Sequence, residues 1–490
     1  MAFTVLFRLS LSRVLPHPEA ASPDELSYLL GADIFVSGHL AMPPHPYWRF
    51  FEMIHALSQP VYAPKYPPGQ AAMLAIGKAL VGDPFYGALL SVALLAGAMC
   101  WMLQAFVRPA WALLGGSAVA LYFGAGHYWT ESYWGGAVAA LGAAVLIGAC
   151  GRMRGVSSGI LFGTGVLILL CSRPYEGGVL IGCACLTMLF RRMEWSAMIA
   201  AALATCASLA MVAGYNHAVT GSALKMPYRL HMEQYSENEP FWFAAPLPKR
   251  TYVNPAIAAA YELYDYAMYK EMRDLPFVER LSRNLLTILT TIAYDGGIGG
   301  LLPLIFVPLL FRDSIVCWFS AAAALLTGSL LVEVLPFMHY MAPFLVVATA
   351  LSFIAIDRLW RMRRVRARDR MIIVAILCAA VMFGPAMRVI HAIRGEKGAL
   401  YHGSDFGQQR AAIAREILSH PGDHLVFVRW SPAKPQTPPW VANGARIDAQ
   451  RLVWAYDRGS ENRDLLEYFK GRHAWLLEDD DRGVRICPYN

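Results

Sequence analysis

Charge is what this sequence has least of. Of its 490 residues, 16% are Asp, Glu, Lys or Arg and 57% are hydrophobic, where soluble domains carry roughly 25% charged residues. So dry a chain lacks the polar surface to dissolve, which excludes an ordinary soluble enzyme, a disordered segment and a coiled coil. Its cysteines supply no disulfide framework. Eight of the nine lie within or at the ends of apolar stretches as small hydrophobes, and Cys487 is the only one in the C-terminal tail. Zinc-ligand spacing is missing too, since Cys183 and Cys185 are separated by a single residue inside an apolar run. There is no repeat of 20–50 residues and no inverted pair of Gly/Pro-broken helices. The net charge of +7 sits in a few short arginine clusters, which is not the spread of a nucleic-acid-binding surface.

The shortage of charge is uneven. Residues 391–490 hold 27 of the 77 charged side chains, so the preceding 390 residues are drier still. A hydrocarbon core about 30 Å thick needs about 20 apolar helical residues. Runs that fit are 85–107, 109–130, 132–151, 155–172, 195–224, 314–332 and 334–356. Shorter candidates at 177–190, 285–311 and 371–390 bring the total to ten, and residues 1–16, with Arg8 and Arg13, make a weak eleventh. The expected fold is an all-α polytopic membrane bundle of about 10–11 transmembrane helices with a small C-terminal α/β soluble domain. In the tail, the pattern predicts a helix at Gln408–Leu418 and strands at His424–Arg429, Arg451–Tyr456 and His473–Glu478, with a second helix at Glu461–Phe469.

Arginines fix the sides. Arg152/Arg154, Arg191/Arg192 and the run from Arg358 to Arg370 (with Arg361, Arg363, Arg364, Arg366 and Arg368) lie in short gaps between apolar stretches, where basic residues mark the cytoplasmic face. Alternation then places 17–84, 127–135, 173–176, 216–284, 333–340 and 391–490 outside. The expected organisation is a membrane domain over 1–390, with a first outer loop at 17–84 and a large one at 216–284, and an extracytoplasmic domain over 391–490. Richness in Ala and Arg points to a bacterial inner membrane.

Several motifs share the outer face. Ser22-Pro23-Asp24-Glu25 opens a helix running to about Gly38, whose Leu26, Leu29, Leu30, Ile34 and Phe35 form a stripe expected to lie along the membrane interface. Its acids read two ways: Ser22, Pro23 and Glu25 make a capping box, and Asp24 facing a cavity makes a general base. Lys65-Tyr66-Pro67-Pro68 precedes the next helix; the lysine either snorkels or holds a phosphate. In Tyr128-Trp129-Thr130-Glu131, an aromatic belt explains the rings but not Glu131. Arg173-Pro174-Tyr175-Glu176 sets an arginine against the positive-inside trend, either as an Arg173–Glu176 pair or as a phosphate clamp. Glu333 and His339-Tyr340 complete the set. Each has a bland reading, but ionisable groups converging on one end of an apolar bundle usually mark a site.

The arrangement resembles the C-type multi-pass glycosyltransferases that use lipid-phosphate sugars, relatives of protein O-mannosyltransferases and aminoarabinose transferases. That family has an Asp-Glu pair opening a helix in the first outer loop, as Asp24-Glu25 does here, and a Lys/Tyr-Pro-Pro segment before the next helix, as in "KYPPGQ". "YWTESYWGG", "SRPYEGG" and "HYMAP" are looser matches, and Glu131 stands where an aspartate is more familiar. The resemblance covers about 20–215 by motif and 285–390 by topology; it says nothing of the 216–284 loop or the tail.

What the resemblance implies is transfer of a sugar from a polyprenyl-phosphate donor to an acceptor hydroxyl or amine on the outer face, with inversion. Asp24 would be the base and Glu25 would orient the sugar or the acceptor. Lys65, Arg173 and His339 would stabilise the leaving phosphate, with Tyr66, Glu131, Tyr175, Glu176 and Tyr340 around the substrates. Membrane lipids are further expected partners, nucleic acid is not, and the chemistry calls for no cofactor, with a divalent metal left open. Two alternatives stand beside it: a lipid or solute transporter or flippase, which predicts charges at the bilayer midplane, and a non-catalytic envelope scaffold, which predicts that Asp24 is dispensable.

Overall fold

The computed structural model describes residues 1–490 except 125, 191–192, 296–301, 363–365, 395–403, 435–437 and 490. Arg191, Arg192, Arg363 and Arg364 therefore lie outside the described residues. The chain divides into two compact units that interleave along the sequence. The first comprises Met1–His17, Phe85–Val212 and Leu275–Tyr401; the second comprises Pro18–Pro84, Ala213–Asp274 and His402–Asn490.

The first unit is helical. Among the described residues, four helical stretches are long and apolar enough to cross a membrane: Phe85–Leu103, Trp195–Thr220, Ser314–Leu331 and Met338–Arg361. Pro109–Gly124, Ala137–Cys150 and Gly155–Leu170 are apolar but shorter than the expected spans. A glycine sets one of those ends: the run at 132–151 becomes helical only at Ala137, after Gly136 with φ +138°. In the expected 285–311 span the described residues form the end of Phe277–Asp295 and a 3-10 stretch, Leu302–Leu310, containing Pro308.

Lipid tails are as apolar as leucine, so helices in a bilayer associate by close backbone approach and not by hydrophobic burial. The helix Gly155–Leu170 does this through Gly159 and Gly163. A Cβ on Gly163 would lie 2.3 Å from the Ala204 Cβ, and one on Gly159 would lie 2.3 Å from the Ala197 carbonyl oxygen. Charge also pins the bundle. Arg108 Nε donates to Asp357 Oδ1 at 2.7 Å, Arg358 and Arg361 pair with Asp357 Oδ2 at 3.0 and 2.6 Å, and Arg358 reaches Asp313 at 2.7 Å. Two arginines of the orientation-setting run thus hold a fully buried aspartate.

The second unit is built on a sheet. The strand His424–Arg429 pairs in parallel with Leu452–Tyr456 on one side and His473–Asp480 on the other; Gly483–Pro488 adds an antiparallel edge that the sequence reading lacked. Successive side chains alternate between faces. Leu425 and Phe427 pack with Leu26, Leu30, Ile34, Phe51 and Leu465, while Val426 and Val428 pack with Tyr261, Ile417, Trp440 and Trp454. This corrects the expectation for the first-loop helix. Pro23–Val36 turns its apolar stripe onto a protein core and does not lie along the membrane with it. Nor is the tail an independent package, since residues 18–84 and 213–274 form one compact unit with it.

Candidate active site

The site grows from the start of Pro23–Val36. Ser22 caps this helix, its Oγ accepting from the Glu25 N–H at 3.3 Å. Glu25 Oε2 accepts from the Ala21 and Ser22 N–H groups, both at 3.0 Å, and from Ser22 Oγ at 3.1 Å. Glu25 is fully buried, so its carboxylate serves the capping box. Asp24, one position earlier and about 100° around the axis, faces other partners.

Asp24 Oδ1 accepts from the Tyr66 hydroxyl and from His55 Nδ1, the latter at 2.5 Å. His55 and Lys65 come together because Ala56–Leu57 pairs antiparallel with Ala63–Pro64, and the Lys65 N–H donates to the His55 carbonyl at 3.2 Å. Ser27 Oγ donates to the same carbonyl at 2.6 Å, and the His55 N–H donates to Tyr261 Oη at 3.2 Å. Tyr261 in turn meets His231 Nε2 at 2.9 Å. Among the described residues, His55 is the one non-glycine with positive φ (66°), a conformation costing on the order of 1–3 kcal/mol that the surrounding contacts must impose. Its Nε2 faces Asp265 Oδ2 at 3.8 Å.

Lys65 is 8% exposed. Its Nζ lies 5.0 Å from the Tyr66 ring centroid and 5.5 Å from that of Tyr228, and among the described residues it makes no hydrogen bond or ion pair. Burial pushes its pKa down to about 8, against the opposing pull of Asp24 and Asp265. Burial alone would raise Asp24, but His55, Lys65 and Tyr66 outweigh it and hold the carboxyl well below the usual range. Tyr66 is pushed well up by burial and by the Asp24 charge, so it remains a donor. Burial, with Lys65 and His55 nearby, drives His231 well below the ordinary histidine range. The result is an ionised carboxylate beside a hydrogen-bond-free ammonium. No group of three or more His, Cys, Asp or Glu among the described residues is arranged to hold a metal ion.

The other expected residues lie in the first unit. Glu131 is gripped by Arg8, whose Nε and Nη2 donate to its two carboxylate oxygens at 2.7 Å each, and it accepts from the Gly126 N–H at 3.0 Å. Arg8, the flaw in the weak first span, and Glu131, the unexplained acid, therefore explain each other. The Arg173 guanidinium stacks 4.2 Å over the Tyr340 ring and is the counter-charge to Glu176 and Glu333, both buried. Tyr175 donates to the Ser329 carbonyl at 3.3 Å, and His339 packs between Trp134 and Tyr340, each at 4.8 Å between ring centroids. Asp24, Lys65 and Tyr66 are thus brought together within the second unit, and Arg173, Tyr175, Glu176, His339 and Tyr340 form a cluster within the first. Sequence reasoning missed His55, His231, Tyr261 and Asp265. The available signal was the ten-residue hairpin spacing of His55 and Lys65; nothing local marked the other three.

No protein-family model matches this chain, and no curated protein matches it. Solved structures do. ArnT from Cupriavidus metallidurans in the apo state aligns over 98% of this chain and 93% of its own, with a TM-score of 0.54 and 13% identity. The Archaeoglobus fulgidus oligosaccharyltransferase in the apo form aligns over 98% of this chain and 69% of its own, with a TM-score of 0.51 and 10% identity. The same enzyme tethered with an acceptor peptide containing the NVT sequon gives a TM-score of 0.51 at 10% identity, over 98% of this chain and 68% of that one. At such identities the likeness is one of fold, and it runs nearly end to end. The chain has the fold of the C-type multi-pass glycosyltransferases that its outer-loop motifs resemble.

Proposed function

We propose that this protein is an integral membrane glycosyltransferase. It moves a sugar from a polyprenyl-phosphate donor to an acceptor hydroxyl or amine on the outer face of a bacterial inner membrane, with inversion and with Asp24 as general base. The observation that carries this reading is the buried Lys65 ammonium, free of any hydrogen bond among the described residues, beside the ionised Asp24. A buried cation whose ammonium makes no hydrogen bond of its own is matched to an anion that arrives with a ligand.

The acceptor oxygen attacks the anomeric carbon from the side opposite the phosphate. Its proton passes to Asp24 Oδ2, the oxygen not engaged by Tyr66 and His55. The bond between the anomeric carbon and the phosphate oxygen breaks with its electron pair on the phosphate, whose charge Lys65 stabilises. A transition state of oxocarbenium character loses the acceptor proton late, so a weak base that is always ionised suffices. The transfer as proposed draws on Asp24, His55, Lys65 and Tyr66.

The donor class is tested by mass spectrometry of lipids that copurify with the full-length protein. Polyprenyl phosphate should accompany the wild type and fall at least tenfold with Lys65→Met. Equal retention by the two proteins contradicts the assignment of Lys65.

A further inference from the structure

Asp265 belongs to the 213–274 segment, which the family resemblance leaves without a role. It ends a π-helical stretch, Ala259–Asp265, inserted in an otherwise ordinary helical run. π-Helical turns are rare and concentrate at functional sites. This one brings two side chains four positions apart to His55: Tyr261 takes the backbone N–H, and Asp265 faces the ring Nε2 at 3.8 Å. Among the described residues the Asp265 carboxylate accepts no hydrogen bond; only its backbone carbonyl does, from Asn238 Nδ2 at 3.3 Å.

Exposure grades across the site. Lys65 is 8% exposed, the His55 and Asp24 side chains 14% and 15%, and the Asp265 side chain 27%. Lys65 is thus the least exposed of these groups and the Asp265 carboxylate the most. Lys65, nine-tenths buried, makes no side-chain hydrogen bond among the described residues, and His55 joins the two carboxylates, its Nδ1 2.5 Å from Asp24 and its Nε2 3.8 Å from Asp265. An anionic leaving group belongs beside the buried cation. Of the two carboxylates, Asp265 presents the larger exposed fraction to an arriving ligand.

We infer that Asp265 recognises the acceptor, and that the acceptor presents a hydroxyl or an ammonium group, not a phosphate, to this carboxylate. The inference rests on the glycosyltransferase reading and adds to it a residue and the exclusion of a phosphate acceptor. A hydroxyl donates to an ionised carboxylate, and an ammonium adds charge attraction, whereas a phosphate is repelled by Asp265 and Asp24 together. Asp265 is a binding residue that places the acceptor for Asp24.

The test is a binding measurement and needs no turnover. Three probes share a hexyl glucoside scaffold: the parent, its 6-amino-6-deoxy form and its 6-phosphate. Each is titrated by calorimetry into full-length protein in nanodiscs. The wild type should bind the amino and hydroxyl probes at least tenfold more tightly than the phosphate. Asp265→Asn should weaken the amino probe at least fivefold and narrow the amino-to-phosphate ratio, and Asp265→Glu should keep the wild-type order. A phosphate probe bound as well as the others, an unchanged ratio in Asp265→Asn, or no binding of any probe overturns the inference. Failure of the glycosyltransferase reading itself shows elsewhere, in a transfer assay of wild type and Asp24→Asn.

Discussion

Glu25 and Asp24 occupy successive positions at one helix start, and the angle between successive helical side chains separates a cap from the proposed base. Glu25 spends its carboxylate on three hydrogen bonds at the helix N-terminus. Glu25→Gln keeps a side-chain oxygen for that cap, so transfer activity should stay within about threefold of wild type, while Glu25→Ala should cost about 1 kcal/mol of stability in thermal unfolding. Lys65 makes the pH dependence of the reaction readable. With its pKa at about 8 it carries charge below that pH and loses it above. Donor kcat/KM should therefore fall as pH rises through about 8, and Lys65→Arg should move that limb beyond the accessible range. Unfolding does not mimic this limb. A lysine depressed on folding makes the unfolded chain the tighter proton binder between about 8 and its ordinary value, so stability from this group increases with pH over that window.

Among elements, the buried Arg8–Glu131 pair ties the helix Ala2–Ser10 to the short turn Tyr128–Glu131. Breaking one side of a buried pair leaves an uncompensated charge, at a cost of roughly 3–5 kcal/mol. Arg8→Met should accordingly lower the melting temperature of the purified protein sharply, and adding Glu131→Leu should restore most of it. Equal losses in the single and double variants would contradict the pairing. These elements also show what a sequence discloses. The strand His424–Arg429 matched its pattern to the residue, because a short apolar run buried on both faces and bounded by turn residues can be read locally. The capping box at Ser22–Glu25 was equally legible, since it is written in four adjacent residues. The Arg8–Glu131 and Asp24–His55 pairs were not, because each joins residues far apart in the chain and no spacing rule reports tertiary contact. The stripe on Pro23–Val36 was seen but assigned to the wrong apolar medium, as periodicity does not tell a protein core from a lipid surface.

At the scale of the molecule, the scarcity of charge is uneven in a way that follows the two units. The unit that holds Asp24 is assembled from 18–84, 213–274 and 402–490, and the sheet of the last segment supplies the face on which Pro23–Val36 packs. Deleting 402–490 should therefore expose 18–84 to proteolysis and abolish transfer, although no catalytic residue is removed. A truncated protein that transfers normally would separate the tail from the site. The most direct test of the central claim is transfer from a radiolabelled polyprenyl-phosphate sugar by purified full-length protein, wild type against Asp24→Asn. Loss of the base predicts a fall of about 10²–10⁴-fold with donor binding retained; wild-type turnover by the Asp24→Asn protein would contradict the account.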